Sequence, residues 1–239
     1  ARTRAVAFLP PVALLPPVSV LPPVSVSLAV ALVATALSGC SPRNSLQPSE
    51  VASGDCADSA WSATSARFAE YVGEGASVGD NLVEWSLRDQ TACEVDFTQL
   101  LGAVTMLDVS SVWCGPCNEA ASTSMEVLHA VRALHRSTWL TTVLVQDAFA
   151  GPAQVADAAD WAERYALEYP VVVDDAESVR NAYGVIAFPV FLFISPTGEV
   201  YERIEGKPDD SEILSLMRAG LEDWAADLRP EDEIPVYAP

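Results

Sequence analysis

The sequence predicts an α/β domain built on a mixed central sheet with helices on both faces. Between residues 103 and 183, three strand-like runs alternate with three helical patterns, and this alternation predicts parallel strands covered by helices. The pattern changes after residue 190, where two strand-like runs flank the turn sequence Ser195-Pro196-Thr197-Gly198 and predict an antiparallel hairpin. A single sheet that contains both parallel and antiparallel pairs accounts for these observations.

Periodicity and turn residues place the individual elements. Two alternating runs within residues 81–97 flank turn-forming residues and predict an N-terminal hairpin with Cys93 at its turn. A last helix begins at Asp209, whose spacing to Glu212 matches a capping box. Its apolar face comprises Ile213, Leu216, Met217, Leu221, Trp224 and Leu228. The remaining apolar patterns predict strands at 103–110, 142–146, 171–173, 190–194 and 199–204, and helices at 118–134, 153–167 and 176–183.

The first 39 residues are typical of a signal peptide. Residues 5–39 carry no charge, follow two arginines and contain an apolar core at 24–37. This core has the length of a signal-peptide apolar region and is shorter than the ~20 residues of a membrane-spanning helix. Because Leu37-Ser38-Gly39-Cys40 resembles the lipobox of bacterial lipoproteins, we expect cleavage before Cys40 and lipid attachment to that cysteine. An uncleaved anchor and secretion without lipid are the alternatives.

Composition divides the rest of the chain into three regions. Residues 40–77 are predicted to be a tether, since their first part is rich in serine and lacks apolar periodicity. Within the tether, Trp61, Phe68 and Tyr71 recur at helical spacing and indicate a short helix. Residues 78–228 form the folded domain, and the acidic stretch 229–239 is predicted to be a loose tail.

The charge of the chain limits its partners. There are 13 basic and 33 acidic residues, which give a formal net charge of −20. Removal of the signal peptide would take away two basic residues and no acidic ones, so the mature protein is more acidic still. Binding to nucleic acid requires a cationic surface, and we therefore expect no nucleic-acid partner. An acidic surface fits a soluble domain that meets neutral or basic partners.

The clearest chemical motif is Trp113-Cys114-Gly115-Pro116-Cys117. It lies between a predicted strand and a predicted helix, so Cys114 falls at a helix N-terminus, where free N–H groups and the helix dipole favour a thiolate. Cys117 can then close a disulfide with Cys114. Gly115 permits a tight turn, and Pro116 suits the first helical turn because its missing N–H would have no partner there. The motif predicts a redox-active disulfide and needs no further cofactor.

Two cysteines remain after this pair and the lipidation site, namely Cys56 and Cys93. Export to an oxidising compartment makes a structural disulfide between them plausible. Two unrelated free thiols are the alternative, because the geometry that a disulfide requires is invisible in a sequence.

Taken in order, these motifs resemble the thioredoxin superfamily and, within it, the TlpA-like membrane-anchored thiol-disulfide oxidoreductases. The resemblance covers residues 78–228 and rests on the CxxC motif, on the segments 169–174, 182–185 and 188–190, and on a hairpin at Gly198 that leads to Gly206. The additional helix at 153–167 is similar to the TlpA-like arrangement. The resemblance implies a thioredoxin fold, here with an N-terminal β-hairpin and an inserted helix.

The resemblance also implies roles for residues outside the motif. Pro189 matches the family's cis-proline, which places the backbone of the preceding residue beside the disulfide; a trans proline at a strand start is the alternative. Asp108 matches the buried acid of thioredoxins, where burial would raise its pKa and let it relay a proton to or from Cys117. A carboxylate that merely finds hydrogen bonds is the alternative. The implied substrate groove comprises Trp113, Gly115, Pro116 and Phe188.

The chain departs from the TlpA-like pattern at positions that bear on substrate choice. Many members have a glutamate three residues after the second cysteine and a proline two residues later, where this chain has Ala120 and Ser122. The nearest acid is Glu119. Phe188 and Val190 stand where small or hydroxyl residues are common. The identity of the substrate is therefore left open.

The predicted function is a thiol-disulfide oxidoreductase of the cell envelope that reduces or exchanges disulfides of protein substrates. The Gly-Pro pair between the cysteines resembles reducing members of the family, and Glu119 in the first helical turn would oppose thiolate formation. Both features favour a reductant over a strong oxidant. A reductant outside the cytoplasm would need a membrane electron donor.

The same fold also occurs in proteins with two other functions. Relatives that carry copper use two cysteines and a histidine, but His129 and His135 lie on or just after the helix, away from Cys114, so no metal site is expected. A thiol peroxidase would look for a proline and a threonine ahead of one reactive cysteine, whereas this chain has Ser110 and Ser111 there.

Overall fold

In the computed structural model, residues 71–230 are described, and they form a seven-stranded mixed sheet with helices on both faces. The signal peptide, Cys40, most of the tether with Cys56, and the tail beyond residue 230 lie outside these residues. The predictions made for those segments stay predictions. Among the described helices, none has both the length and the apolar character needed to cross a membrane.

The sheet confirms the predicted mixture of parallel and antiparallel pairs. Its strands, in chain order, are β1 Ser86–Asp89, β2 Glu94–Asp96, β3 Val104–Ser111, β4 Thr138–Gln146, β5 Val171–Val173, β6 Val190–Ile194 and β7 Val200–Glu205. Across the sheet the order is β2-β1-β5-β4-β3-β6-β7. The central pairs β3/β4 and β4/β5 are parallel, and the hairpins β1/β2 and β6/β7 are antiparallel. The N-terminal hairpin joins the sheet through β1, which pairs antiparallel with β5.

Within residues 71–230, four α-helices cover the sheet: α1 Gly115–Leu134, α2 Val155–Tyr165, α3 Ser178–Ala182 and α4 Asp210–Asp223. Helix α1 begins earlier than predicted, because Gly115 and Pro116 occupy its first two positions and the Cys114 side chain caps it. The capping box predicted for α4 is wrong. Asp209 is the N-cap residue but makes no side-chain cap bond, and its backbone carbonyl accepts the N–H groups of Glu212 and Ile213 instead.

Strand β3 runs through the centre of the molecule and is buried along its whole length. Successive side chains of a strand point to opposite faces, and Leu107 and Val109 accordingly belong to the apolar cluster on one face. Met106 belongs to the cluster on the other face, together with Cys117 and the inner sides of α1 and α4. Asp108 lies two residues from Met106, so its side chain points toward the face that carries the cysteines.

The folded part extends slightly beyond the predicted limits of 78 and 228. The Tyr71 hydroxyl donates hydrogen bonds to the carbonyls of Leu82 and Gly198. At the other end, the backbone N–H of Arg229 donates to the Gly102 carbonyl at 2.6 Å, and the Arg229 carbonyl accepts the Ser137 hydroxyl at 2.8 Å. Both flanking segments pack on the domain because their polar groups form hydrogen bonds with groups of the domain instead of with water.

Candidate active site

The two cysteines of the motif form a disulfide at the N-terminus of α1. The Cys114 sulfur accepts a hydrogen bond from the Cys117 backbone N–H at 3.2 Å, and it is this contact that caps the helix. Cys117 has no exposed surface, and Cys114 retains 3%. After reduction, the same N–H and the helix dipole would stabilise negative charge on the Cys114 sulfur. The geometry therefore favours Cys114 as the nucleophile.

Gly115 and Pro116 lie exposed between the cysteines. A Cβ atom added at Gly115 would have no neighbour within 4 Å. The glycine is thus not required by packing inside the domain, and the surface beside the disulfide is open to a partner.

An aromatic pair borders the disulfide. Trp113 and Phe188 meet edge to face, with ring centroids 6.2 Å apart, and Trp113 is 51% exposed. The Phe188–Pro189 peptide bond is cis, as the resemblance implied. The Pro189 carbonyl accepts the Gly206 N–H at 2.8 Å, which connects this loop to the end of β7. The fold thus brings together two groove residues that are 75 positions apart in the sequence.

Asn118, which the sequence analysis did not identify as a site residue, stabilises the loop that carries the cysteines. The Asn118 amide donates to the carbonyls of Val112 and Cys114, at 2.9 and 2.7 Å. Its oxygen accepts the Tyr165 hydroxyl of α2 at 2.6 Å. Asn118 therefore holds both sides of the cysteine loop in place. The signal available in the sequence was weak: asparagine is a poor former of helix interiors, yet it directly follows Cys117.

Asp108 is almost completely buried, with 4% of its surface exposed. Burial raises the pKa of Asp108 to about 7, although hydrogen bonds from Ser110 and Thr142 act to lower it. The Ser110 hydroxyl donates to the carboxyl oxygen at 2.7 Å. A carboxyl with a pKa near neutrality can both accept and release a proton under physiological conditions. The desolvated acid that the resemblance implied is therefore in place.

A small cavity adjoins Asp108 between α1 and α4, and its lining includes Ala120, Thr123, Ser124 and Tyr169. The Tyr169 hydroxyl donates to the Ser124 hydroxyl at 2.9 Å. Burial raises the pKa of Tyr169 to about 12, so this phenol stays neutral. Ala120, where TlpA-like relatives often have glutamate, brings no acid into the cavity, although Asp210 and Lys207 also line it.

The structure also places another cysteine, an acid and two histidines to which the sequence pointed. Cys93 is buried and disulfide-bonded, but Cys56 lies outside the described residues, so their pairing stays a prediction. Glu119 is exposed and lies 3.7 Å from the ammonium group of Lys207, the only lysine of the chain. His129 is exposed on α1 and His135 caps its C-terminal end. Within residues 71–230, no group of three or more potential metal ligands is found.

Comparison with known proteins agrees with this geometry. The sequence profile described as the AhpC/TSA family matches residues 78–203. The thiol-disulfide oxidoreductase ResA of Geobacillus thermodenitrificans is 26% identical over 137 residues, which are 57% of this chain and 74% of that protein.

Two solved structures show the same fold at lower identity. One, from Chlorobium tepidum and assigned as a thiol:disulfide interchange protein DsbE, is 22% identical, with a TM-score of 0.52 over 63% of this chain and 98% of that one. The other, peroxidoxin BcpB from Mycobacterium tuberculosis, is 16% identical, with a TM-score of 0.51 over 62% and 98% of the two chains. These likenesses confirm the predicted thioredoxin fold, and the chemistry must be read from the site itself.

Proposed function

The chain belongs to the AhpC/TSA family, within the thioredoxin superfamily, and we propose that it reduces or exchanges disulfide bonds of protein substrates outside the cytoplasm. It is a thioredoxin-like thiol-disulfide oxidoreductase, as the sequence predicted, with the Cys114–Cys117 disulfide as its redox group. The observation that carries the proposal is the position of Cys114, which caps α1 beside an open, aromatic-bordered surface.

The reaction begins with the reduced dithiol. The Cys114 thiolate attacks one sulfur of the substrate disulfide, a mixed disulfide forms, and the other substrate sulfur leaves as a thiolate that takes up a proton. Cys117 then loses its proton and attacks the Cys114 sulfur. This step restores the Cys114–Cys117 disulfide and releases the second substrate thiol. Two electrons pass from the enzyme to the substrate in each cycle.

Asp108 is proposed to take the proton that Cys117 must lose. Its side chain faces the side of the sheet that carries Cys117, and its pKa of about 7 matches a base that works near neutrality. The adjoining cavity is lined by Thr123, Ser124 and Tyr169 beside Asp108, and Cys117 is not part of its lining. The relay hypothesis therefore rests on an acid of suitable pKa that points toward the face carrying Cys117.

The direction of electron flow is proposed to be toward the substrate. The Gly-Pro pair between the cysteines supports this direction. The prediction that Glu119 lies in the first helical turn is wrong, because α1 begins at Gly115 and its first turn holds no acidic residue. Lys207 lies within 3.7 Å of Glu119 and partly offsets its charge. The reduction potential tests the direction: a value near that of strong periplasmic oxidants, about −120 mV, would contradict it.

The proposed location is the outer side of a bacterial membrane, with a lipid on Cys40 as the anchor and a membrane protein as the electron donor. The uncharged segment before Cys40 and its lipobox-like ending support this location. Mass spectrometry of the membrane-bound protein tests it. We expect an N-terminal peptide that begins at a lipidated Cys40, and an unmodified cysteine at that position would overturn the lipid anchor.

The decisive experiment for the activity traps the intermediate. The Cys117→Ser variant should form a stable mixed disulfide with a disulfide-bonded test protein such as insulin, through Cys114, because the resolving sulfur is missing. The wild-type protein should instead release reduced insulin chains. Failure of the variant to form the adduct, together with no reduction of insulin by the wild type, would overturn the proposed function.

Thiol peroxidase activity is the second candidate, since a peroxidoxin shares the fold. The hydroxyls that precede the motif are engaged elsewhere: Ser110 donates to Asp108, and Ser111 donates to the Gln146 carbonyl at 3.4 Å. Neither is available to orient a peroxide at Cys114. We expect peroxide consumption no faster than that of a free thiol, and a clearly faster reaction at Cys114 would favour the peroxidase.

A further inference from the structure

Five side chains around the disulfide contact one another in a closed ring. The Trp113 indole N–H donates to the Gln146 side-chain oxygen at 2.9 Å, and the Gln146 amide donates to the Glu177 carboxylate at 3.4 Å. Arg180 donates to the same carboxylate oxygen at 2.9 Å, and its guanidinium carbon lies 5.5 Å from the centre of the Phe188 ring. Phe188 meets Trp113 edge to face. We call this set the aromatic-polar ring.

The backbone around the ring is itself restrained. The Gln146 carbonyl, at the end of β4, accepts the Val112 N–H at 2.9 Å, one residue before Trp113. On the other side, the Asp174 carboxylate accepts the backbone N–H groups of Ser178 and Arg180 and fixes the start of α3. The three polar members of the ring therefore extend from well-supported positions toward two aromatic side chains that lie at the protein surface.

Glu177 adopts a backbone conformation that is unusual for its residue type. Its φ is 53° and its ψ 27°, in the left-handed region that glycine and asparagine occupy more easily. The carboxylate there accepts hydrogen bonds from both Gln146 and Arg180. The side chain thus completes the ring from a position where its backbone is disfavoured.

We propose that Gln146, Glu177 and Arg180 are positioning residues, which hold Trp113 and Phe188 in the arrangement that receives a protein substrate. This inference rests on the proposed function, because it concerns how a polypeptide docks beside the disulfide. Trp113 is half exposed and would otherwise sample several rotamers, and ordering such a side chain on binding costs free energy. The ring orders it in advance, so its loss raises KM for protein substrates and leaves the sulfur chemistry unchanged.

The test compares two substrates, insulin and the small aromatic disulfide dithiodipyridine, with the reduced protein. Gln146→Met keeps the length of the side chain but removes both hydrogen bonds. We expect KM for insulin to rise about fivefold, the cost of one side chain left to be ordered on binding. The kcat for insulin should stay within about twofold of wild type, because it is measured with the polypeptide already docked. The rate with dithiodipyridine should also stay within about twofold, because this substrate has no polypeptide to dock.

Two substitutions at Glu177 separate positioning from stability. Glu177→Gly removes the carboxylate but accepts the positive φ without cost, so stability should not fall while KM for insulin rises. Glu177→Gln keeps the acceptor oxygen and should restore KM to within about twofold of wild type. Arg88→Lys is the matched control, since Arg88 also pairs with an acid, the exposed Asp175, but neither residue is a member of the aromatic-polar ring.

A double-mutant cycle with Trp113→Phe checks that Gln146 acts through the indole. Adding Gln146→Met to Trp113→Phe should change KM for insulin by less than about twofold, because the N–H that Gln146 holds is already gone. The inference is overturned if the Gln146 and Glu177→Gly variants reduce insulin with unchanged KM, or if both substrates slow equally. A wild-type protein that reduces dithiodipyridine but never insulin would instead overturn the proposed function.

Discussion

The two sulfurs of the disulfide face different surroundings. On the outer side, Cys114 adjoins the exposed Gly115 and Pro116. The aromatic pair of Trp113 and Phe188 borders the same side, and polar side chains of the aromatic-polar ring contact this pair. On the inner side, Cys117 is fully buried in the apolar cluster of the face toward which Asp108 points.

This difference indicates that the two sides of the disulfide contribute to different steps, substrate binding and proton transfer. The outer side acts by shape, since its residues are ordered before a partner arrives and present apolar surface to it. The inner side acts by desolvation, since removal from water is what brings the pKa of Asp108 close to neutrality. Substitutions on the outer side should therefore change the recognition of substrate. Substitutions on the inner side should change the pH dependence of exchange.

Replacing the outer cysteine by serine should have the largest effect and tests the different roles of the two sulfurs. Cys114→Ser should lower the rate of disulfide reduction by about 10³-fold or more, because a serine hydroxyl is not ionised at neutral pH and cannot replace the thiolate. Insulin reduction monitored by turbidity measures this rate. If Cys117 in this variant formed mixed disulfides as readily as Cys114 does in Cys117→Ser, the assignment of outer nucleophile and inner resolver would be wrong.

Removing the inner acid should have the next largest effect. Asp108→Asn cannot accept the proton of Cys117, so resolution of the mixed disulfide should slow by about 10²-fold, the usual contribution of a positioned base. Rapid-quench measurement of the adduct lifetime follows this step. The initial attack by Cys114 should be nearly unaffected, and a variant that slowed both steps equally would argue for a structural role of Asp108.

The same substitution should also change stability in a pH-dependent manner. The pKa of Asp108 rises from 3.8 to about 7 on folding, so between these values the unfolded chain loses a proton that the folded protein keeps. Stability therefore falls as pH rises from about 4 to 7, by on the order of 4 kcal/mol. Asp108→Asn should remove this loss, which urea unfolding at several pH values measures. Asp175→Asn, at an exposed ion pair, serves as control.

Truncating the exposed aromatic side chain Trp113 should have a smaller effect, whose size depends on the substrate. Trp113→Ala removes a half-exposed ring that contacts Phe188, and we expect KM for insulin to rise about tenfold, as for a typical aromatic contact in an interface. Steady-state kinetics with insulin and with dithiodipyridine measure it. An equal loss with the small disulfide would show that Trp113 acts on the sulfur chemistry rather than on docking.

The smallest expected effect concerns the hydrogen bond to the acid. Ser110→Ala removes the donor that lowers the pKa of Asp108, so this pKa should rise further, by about one unit for a buried hydrogen bond. The pH profile of the resolution step should move upward accordingly, with its maximum rate preserved. A profile that stays in place would mean that the Ser110 hydrogen bond does not contribute to the pKa of Asp108.

Local patterns were sufficient to predict most of the fold and the chemical motif. Alternation of apolar residues and turn sequences placed the strands of the mixed sheet, and the spacing of Cys114 and Cys117 predicted their disulfide. These features depend on residues close together in the chain, where periodicity and helix-terminus geometry act directly. The missing capping box at Asp209 shows the limit of this reasoning, since a side chain within reach of a cap need not form it.

The tertiary structure alone decided which distant residues surround the disulfide. Gln146, Glu177 and Arg180 are ordinary polar residues in the sequence, and they acquire roles only because β3 and β4 end and α3 begins at the same edge of the sheet. Likewise, the sequence could indicate that Asp108 is buried, but the pKa of about 7 depends on the whole apolar surrounding and on hydroxyls from two strands. Redox chemistry was determined by residues adjacent in the chain, whereas recognition and proton transfer depend on contacts that only folding creates.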